Sequence, residues 1–336
     1  MKKSFIKAVT CIVSFMCLLT SLSFAATKKA NKNISLLYLF RKDYGERAAY
    51  SVYKGEELLV DLDGLKNRWI LEIHFDTEKD NTILFAEKAD GLYRVLSLDF
   101  AKKQEELLFA FEQKNYDFKS FTKKSLFFGE RCEKSNILYE YDSRTGTIKK
   151  LYEVEDVYNE KTERYESGFI GNVQADDKNI YFYLHGGFVM DSGSFVIDRS
   201  SGEVRKSKIN IGWAKPNRYK NKIIREGAIV KQSKNMMSYS HNGKSCVITD
   251  LDTFEEVQCT FKKRYTRMAG PLVLLSDDYF LVPLCITPFR DSIRNGLFYS
   301  NWTVCYSVFD IKKNKVVFKG LKTETRIMTL IDAKLL

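Results

Sequence analysis

Proline and histidine are scarce in this chain of 336 residues: there are 4 prolines and 3 histidines. Few strands are therefore interrupted, because proline removes a ladder donor wherever it falls. His74, His185 and His241 fall at unlike places in the sequence pattern and read as three unrelated residues, not as a metal ligand set. No G-x-S-x-G, phosphate-binding glycine loop or H-E-x-x-H occurs, so no nucleophile elbow, nucleotide cradle or zinc-protease helix is expected. No long basic run accompanies the net charge of +11. Short clusters such as Lys28-Lys29 and Lys262-Lys263-Arg264 are scattered, which reads as a solvated surface. Beyond the N-terminus no apolar stretch is long enough to span a bilayer, which needs about 20 residues.

The N-terminus itself has the form of a secretory signal peptide. Lys2, Lys3 and Lys7 precede an apolar run from Ala8 to Leu22, and Ser23-Phe24-Ala25 supplies small residues for cleavage before Ala26. The run is short for a retained anchor, and neither Cys11 nor Cys17 has the small-residue context of a lipidation site. The expected organisation is a signal peptide over 1–25, a flexible polar arm over 26–34 and a single domain over 35–336. The product would be periplasmic or extracellular, without a transmembrane segment in the mature chain, and export argues against nucleic acid as a partner.

Cleavage leaves Cys132, Cys246, Cys259, Cys285 and Cys305. An exported chain can form disulfides. Cys246 and Cys259 are centred between Asp252 and Thr253, and Cys285 and Cys305 on Asn295 in the turn-prone Arg294-Asn295-Gly296. Hairpins turning at those points would set each pair directly opposite, within disulfide reach. The alternative is five reduced core thiols. Cys132 is left over, free or intermolecular.

Aromatic residues, in contrast, are abundant at 14% of the chain, and Phe and Tyr favour pleated, half-buried strands. The segment Tyr139-Glu140-Tyr141-Asp142-Ser143-Arg144-Thr145-Gly146-Thr147-Ile148 reads as strand, tight turn and strand. Weaker copies place an Asp at the end of a strand at Asp99, Asp142, Asp198, Asp250 and Asp310, with spacings of 43, 56, 52 and 60 residues. Repeats of about 40–50 residues with four short strands each are the signature of propeller blades. The expected fold is all-β, a propeller of four-stranded antiparallel blades. Six blades fit the spacing, the sixth assembled from the N-terminal strands and the C-terminal run Arg326–Ile331. Seven blades are the alternative, if 153–175 or 206–227 hide further strands. Only 101–113 has a helix-forming composition; its place in the repeat assigns it to a turn and strand.

Asp142-Ser-Arg-Thr-Gly-Thr-Ile and Asp198-Arg-Ser-Ser-Gly-Glu-Val resemble the D-x-x-T/S-G-x-V units of bacterial β-propellers of the TolB-like, pyrroloquinoline-quinone-type and YVTN-type kinds. The rhythm covers most of the chain, but the motif is sharp in two repeats. Gly is replaced at the matching position elsewhere, by Gln104 or its neighbours, Phe254 and Asn314. The Trp-Asp pair of WD repeats, the kelch double glycine and the sialidase Asp-box are absent. The resemblance implies a binding or scaffolding platform, and some such propellers host enzymes.

The repeated Asp residues are expected to accept turn N–H groups and not to act as catalytic carboxylates. Asp176-Asp177 and Asp277-Asp278 read as hairpin turns, since no full calcium loop surrounds them. Trp213, in a loop by composition, and His185-Gly186-Gly187 are the candidates for a ligand or partner face. No cofactor or metal is expected. The functional expectation is an exported binding or scaffold protein for a protein, glycan or envelope partner. The alternative is a propeller enzyme, a glycan hydrolase or lyase, with its site at the central channel.

Overall fold

The computed structural model describes residues 34–44, 47–186, 192–207, 217–233, 236–261, 271–285, 303–324 and 328–336. The signal-peptide reading of 1–25 and nearly all of the arm lie outside them.

Runs of Phe, Tyr, Leu, Ile and Val punctuated by Asp, Asn and Gly fold into short antiparallel strands. The first three are β1 (Leu36–Tyr44), β2 (Arg47–Lys54) and β3 (Glu57–Asp61). Blade II consists of β4 (Trp69–Phe75), β5 (Thr82–Ala89), β6 (Leu92–Asp99) and β7 (Gln104–Glu112). Blade III consists of β8 (Tyr116–Phe121), β9 (Ser125–Arg131), β10 (Ser135–Asp142) and β11 (Thr147–Glu155). A small hairpin, β12 (Val157–Asn159) and β13 (Arg164–Glu166), precedes blade IV. That blade holds β14 (Phe169–Ala175), β15 (Asn179–His185), β16 (Gly193–Asp198) and β17 (Val204–Lys206). Blade V holds β18 (Asn217–Tyr219), β19 (Lys222–Ser233), β20 (Met236–Asp250) and β21 (Glu256–Thr260). Blade VI holds β22 (Val273–Leu274), β23 (Tyr279–Cys285), β24 (Thr303–Asp310) and β25 (Lys315–Glu324). Finally β26 (Thr329–Leu335) pairs antiparallel with β1, completing blade I in the order β26-β1-β2-β3.

The molecule is thus a six-bladed β-propeller whose ring is closed by three N-terminal strands and one C-terminal strand. Closure by pairing between the chain ends leaves no open seam between first and last blade. Segment 101–113 is turn and strand, as its position in the repeat requires. Among the described residues the strands that begin within 153–175 and 206–227 are the β12–β13 hairpin, which precedes blade IV, then β14 of blade IV, and β18 and β19 of blade V; they make no further four-stranded sheet. β20 continues through Asn242-Gly243, but its ladder with β19 shifts register there, passing from Ala228 opposite His241 to Glu226 opposite Cys246.

The core is divided among the six seams between blades. Leu39, Val52, Phe75 and Phe85 fill the I/II seam, and Leu126, Phe128, Phe111 and Tyr93 fill II/III. The III/IV seam holds Phe127, Leu138 and Phe182, and the IV/V seam a smaller set around Tyr181, Val196, Ile223 and Leu251. Phe280, Phe309 and Phe261 fill V/VI, while Tyr38, Phe40, Tyr306 and Val308 fill VI/I. At VI/I the sheets approach so closely that a Cβ on Gly320 would overlap the Tyr38 hydroxyl and lie 2.8 Å from the Tyr306 carbonyl oxygen. Glycine at 320 therefore admits the aromatic ring that closes the propeller.

Register decides the cysteine geometry. Cys246 stands directly opposite Cys259. Cys305 stands opposite Leu284, and Cys285 opposite Val304, so the direct opposition expected for Cys285 and Cys305 is off by one residue. The strands align Phe280 with Phe309 and Leu281 with Val308, so hydrophobic matching sets the register and not the symmetry of the connecting segment. Cys132, Cys246, Cys259 and Cys305 carry free thiols.

Candidate ligand-binding face

In a four-stranded meander the first and third turns emerge at one end and the second turn and the link to the next blade at the other. The ring therefore has two unlike faces. One, the turn face, carries the short connections. The other, the insert face, carries the long ones, including the β12–β13 hairpin.

On the turn face the Asp repeat is structural. Oδ1 of Asp99 accepts the N–H groups of Ala101 and Lys102; Asp142 accepts that of Arg144; Asp198 those of Ser200 and Ser201. Asp250 accepts the N–H groups of Asp252 and Thr253, and Asp310 that of Lys313. Four residues after each Asp the backbone enters the left-handed region, at Lys103 (φ 55°), Gly146 (69°), Gly202 (74°), Phe254 (63°) and Asn314 (46°). Hydrogen bonding by the Arg144 guanidinium holds the Asp142 pKa at about 2. The Ser200 hydroxyl and the Ser201 N–H hold Asp198 at about 2 as well.

A second repeat lies in the first turn of blades II, III, IV and VI. Asp76 accepts the N–H of Glu78, Thr122 those of Lys124 and Ser125, Asp176 those of Lys178 and Asn179, and Ser276 those of Asp278 and Tyr279. Asp176-Asp177 and Asp277-Asp278 accordingly sit in turns. Asp277 also pairs with Lys220 and Lys222.

The innermost strands β26 and β4 bring the Asp332 carboxylate within electrostatic reach of the His74 imidazole. Asp332 on β26 accepts the Phe75 N–H of β4 through Oδ2 and the Ala333 N–H through Oδ1, both at 2.8 Å. Burial pushes its pKa up, against the opposing influence of His74. The His74 ring stacks on Phe121 at 5.1 Å, and its Nδ1 lies 3.0 Å from the Phe75 carbonyl oxygen. Glu72 accepts the Ser120 hydroxyl at 3.3 Å. Both Asp332 oxygens are engaged by backbone, so this group ties the closing strand to blade II. Among the described residues no set of three His, Cys, Asp or Glu has the geometry to hold a metal.

The insert face differs in chemistry. Trp69 opens β4 and is 63% exposed, with the Lys88 ammonium 4.7 Å from its ring centroid. Phe169 opens β14 and is 54% exposed, with the Lys119 ammonium 4.2 Å from its ring. Lys119 is also paired with Asp117 at 2.7 Å. Tyr158 and Tyr165 meet edge to face at 5.2 Å on the β12–β13 hairpin, 50% and 61% exposed. Exposed aromatics beside cations suit contact with a ligand's apolar faces and polar groups. His185 ends β15 opposite Phe169, at the edge of this set. Gly186 is buried, its N–H donating to the Ser192 hydroxyl at 2.9 Å. Trp213 and Gly187 lie outside the described residues. Trp69 and Phe169 carry a sequence signal: each is the aromatic that follows a polar link and begins an inner strand.

No family model matches the sequence, and no curated protein matches it. The chain is similar to several solved propeller proteins. TolB from Acinetobacter baumannii is 12% identical with a TM-score of 0.47, over 90% of this chain and 66% of that one. The β-propeller domain of the trilobed protease from Pyrococcus furiosus is 12% identical with a TM-score of 0.40, over 76% and 70%. An oligogalacturonate lyase in complex with manganese is 13% identical with a TM-score of 0.40, over 80% and 72%. The chain thus spans just under two thirds of the TolB chain. Among the described residues no helix is long and apolar enough to cross a membrane.

Proposed function

We propose that this chain is an exported propeller that binds a protein or glycan partner of the cell envelope through its insert face. The observation that carries the reading is the pairing of exposed aromatics with cations, Trp69 with Lys88 and Phe169 with Lys119. Such a surface gives stacking area and directional charge without a catalytic pair. The turn face supports no rival reading, because its Asp carboxylates are engaged by their own turns. Channel catalysis draws on Glu72, His74 and Asp332, but hydrogen bonds to backbone hold the most buried of these in a fixed role.

The test is retention of immobilised protein on purified cell-wall glycan and on solubilised envelope proteins. Wild type is expected to bind one of the two. The double variant Trp69→Ala/Phe169→Ala should lose that binding, while Lys102→Ala on the turn face should keep it. Equal binding by all three proteins would reject the insert face as the site. Export is tested separately: the N-terminus of protein recovered outside the cytoplasm should be Ala26, and an intact Met1 there would refute cleavage.

A further inference from the structure

We propose that Cys246 and Cys259 join as a single intramolecular disulfide between β20 and β21 of blade V. The inference rests on the export proposed above, which supplies an oxidising compartment. The two residues are directly opposed in register. Directly opposed antiparallel residues have Cα atoms about 4.5–5.5 Å apart, inside the span a disulfide accepts. Direct opposition also puts both side chains on one face of the sheet. That face is the V/VI seam, where Cys246 is 0% and Cys259 1% exposed among Ile224, Ile248, Phe261 and Phe280.

The thiols already interact. The hydrogen bond between them, with burial, pushes the Cys246 thiol up. A thiol pair and a disulfide are both compact and weakly polar, so the apolar seam accommodates either. The remaining described cysteines lack this arrangement. Cys305 faces Leu284 across the strand pair and lies 3.9 Å from the Gly320 carbonyl oxygen, and Cys132 follows β9 in a turn.

The chemistry is thiol–disulfide exchange with an oxidised dithiol or glutathione disulfide. The Cys259 thiolate attacks one sulfur of the oxidant, forming a mixed disulfide and releasing one oxidant thiolate. The Cys246 thiol then loses its proton and its sulfur attacks that of Cys259. This forms the Cys246–Cys259 bond and releases the second oxidant thiolate. Two electrons pass to the oxidant, and the two protons lost by the cysteines go to its thiolates. Because both sulfurs are buried, exchange takes place before the V/VI seam closes.

The whole protein is unfolded, refolded with glutathione disulfide and reduced glutathione, alkylated under denaturing conditions and digested. Both cysteines fall in one tryptic peptide, 245–262. Supporting outcomes are that this peptide is lighter by two hydrogens and unalkylated, and that cleavage at its acidic residues leaves two halves still joined. The proposal also expects reductant to lower the Tm of the oxidised wild type and to leave that of Cys246→Ala/Cys259→Ala unchanged. Alkylation of both cysteines after refolding, linkage of either one to Cys132, Cys285 or Cys305, or a reductant-insensitive wild-type Tm would each overturn it. The refolding assay supplies its own oxidant, so a failed export test leaves this result readable on its own.

Discussion

Asp142 on the turn face accepts the N–H of Arg144 and pairs with its guanidinium, while Trp69 on the insert face leaves 63% of its surface in water beside a lysine. The strands joining the two faces are the same. On one, polar side chains complete the backbone's own hydrogen bonds, five times over at the third turn and four times at the first. On the other, large apolar groups are held out where the fold gains nothing from them. Repeated chemistry at equivalent positions marks what the architecture requires. Unrepeated, exposed aromatic chemistry marks what the protein does with that architecture.

The comparison breaks first if the turn face proves dispensable. Arg199 there bonds the Asp176 carbonyl oxygen and pairs with Glu140, a buried carboxylate of the neighbouring blade that also accepts the Ser125 hydroxyl. Arg199→Ala leaves that carboxylate without its cation and should cost about 3 kcal/mol, the scale for breaking a buried pair. Urea unfolding would measure it; a loss below about 0.5 kcal/mol would place the pair among ordinary surface contacts.

Next in size are the left-handed positions. Gly146→Ala should destabilise by about 1 kcal/mol, and Lys103→Gly, at the equivalent exposed position, should stabilise by up to about 1 kcal/mol. Opposite signs at equivalent sites are the diagnostic, and thermal unfolding resolves them. Phe254→Gly should gain less, because the ring it removes lies against the IV/V seam.

These turns also show what was legible in the sequence. The Asp at the third turn recurs at one place in blades II to VI, so alignment finds five units, and the strands left at the two chain ends supply the sixth. The first-turn caps alternate between Asp76, Thr122, Asp176 and Ser276. Carboxylates and hydroxyls are interchangeable as acceptors, so no single letter repeats. Two innermost strands, β18 and β22, are only three and two residues long, too short to leave an alternating pattern. The Cys246–Cys259 opposition followed from a short turn, whereas Cys285 and Cys305 are separated by a long connection whose length does not set register. Of the face residues expected from sequence, His185 and Gly186 fall among the described residues and Trp213 and Gly187 outside them, while Trp69 has no local sign of its exposure. Exposure is a tertiary property. The contact between Asp332 and the Phe75 N–H joins residues 257 apart in the chain and has no local signature.

Acid separates the faces by a smaller margin. Asp142 and Asp198 have folded pKa values of about 2, below the ordinary carboxylate value near 4. Between those limits the unfolded chain binds more protons, so stability rises with pH there. Their contribution is fully present above about pH 4 and is lost as pH falls through 2. Unfolding free energies measured from pH 2 to 5 should show a shallower slope for Asp142→Asn/Asp198→Asn than for wild type. Identical slopes would mean that these carboxylates are not depressed.

The smallest expected effect on stability is at the insert face, and it is the sharpest test of the distinction. Trp69 and Phe169 are each more than half exposed, and each ring has a lysine ammonium beside it. Exposed cation–π contacts contribute about 0.5–1 kcal/mol at most. Removing the ring also removes the cost of holding an apolar surface in water. Trp69→Ala and Phe169→Ala should therefore each shift unfolding by less than about 0.5 kcal/mol. A loss well above 1 kcal/mol at either position would mean that the ring supports the start of its inner strand, and the insert face would then be as structural as the turns opposite it.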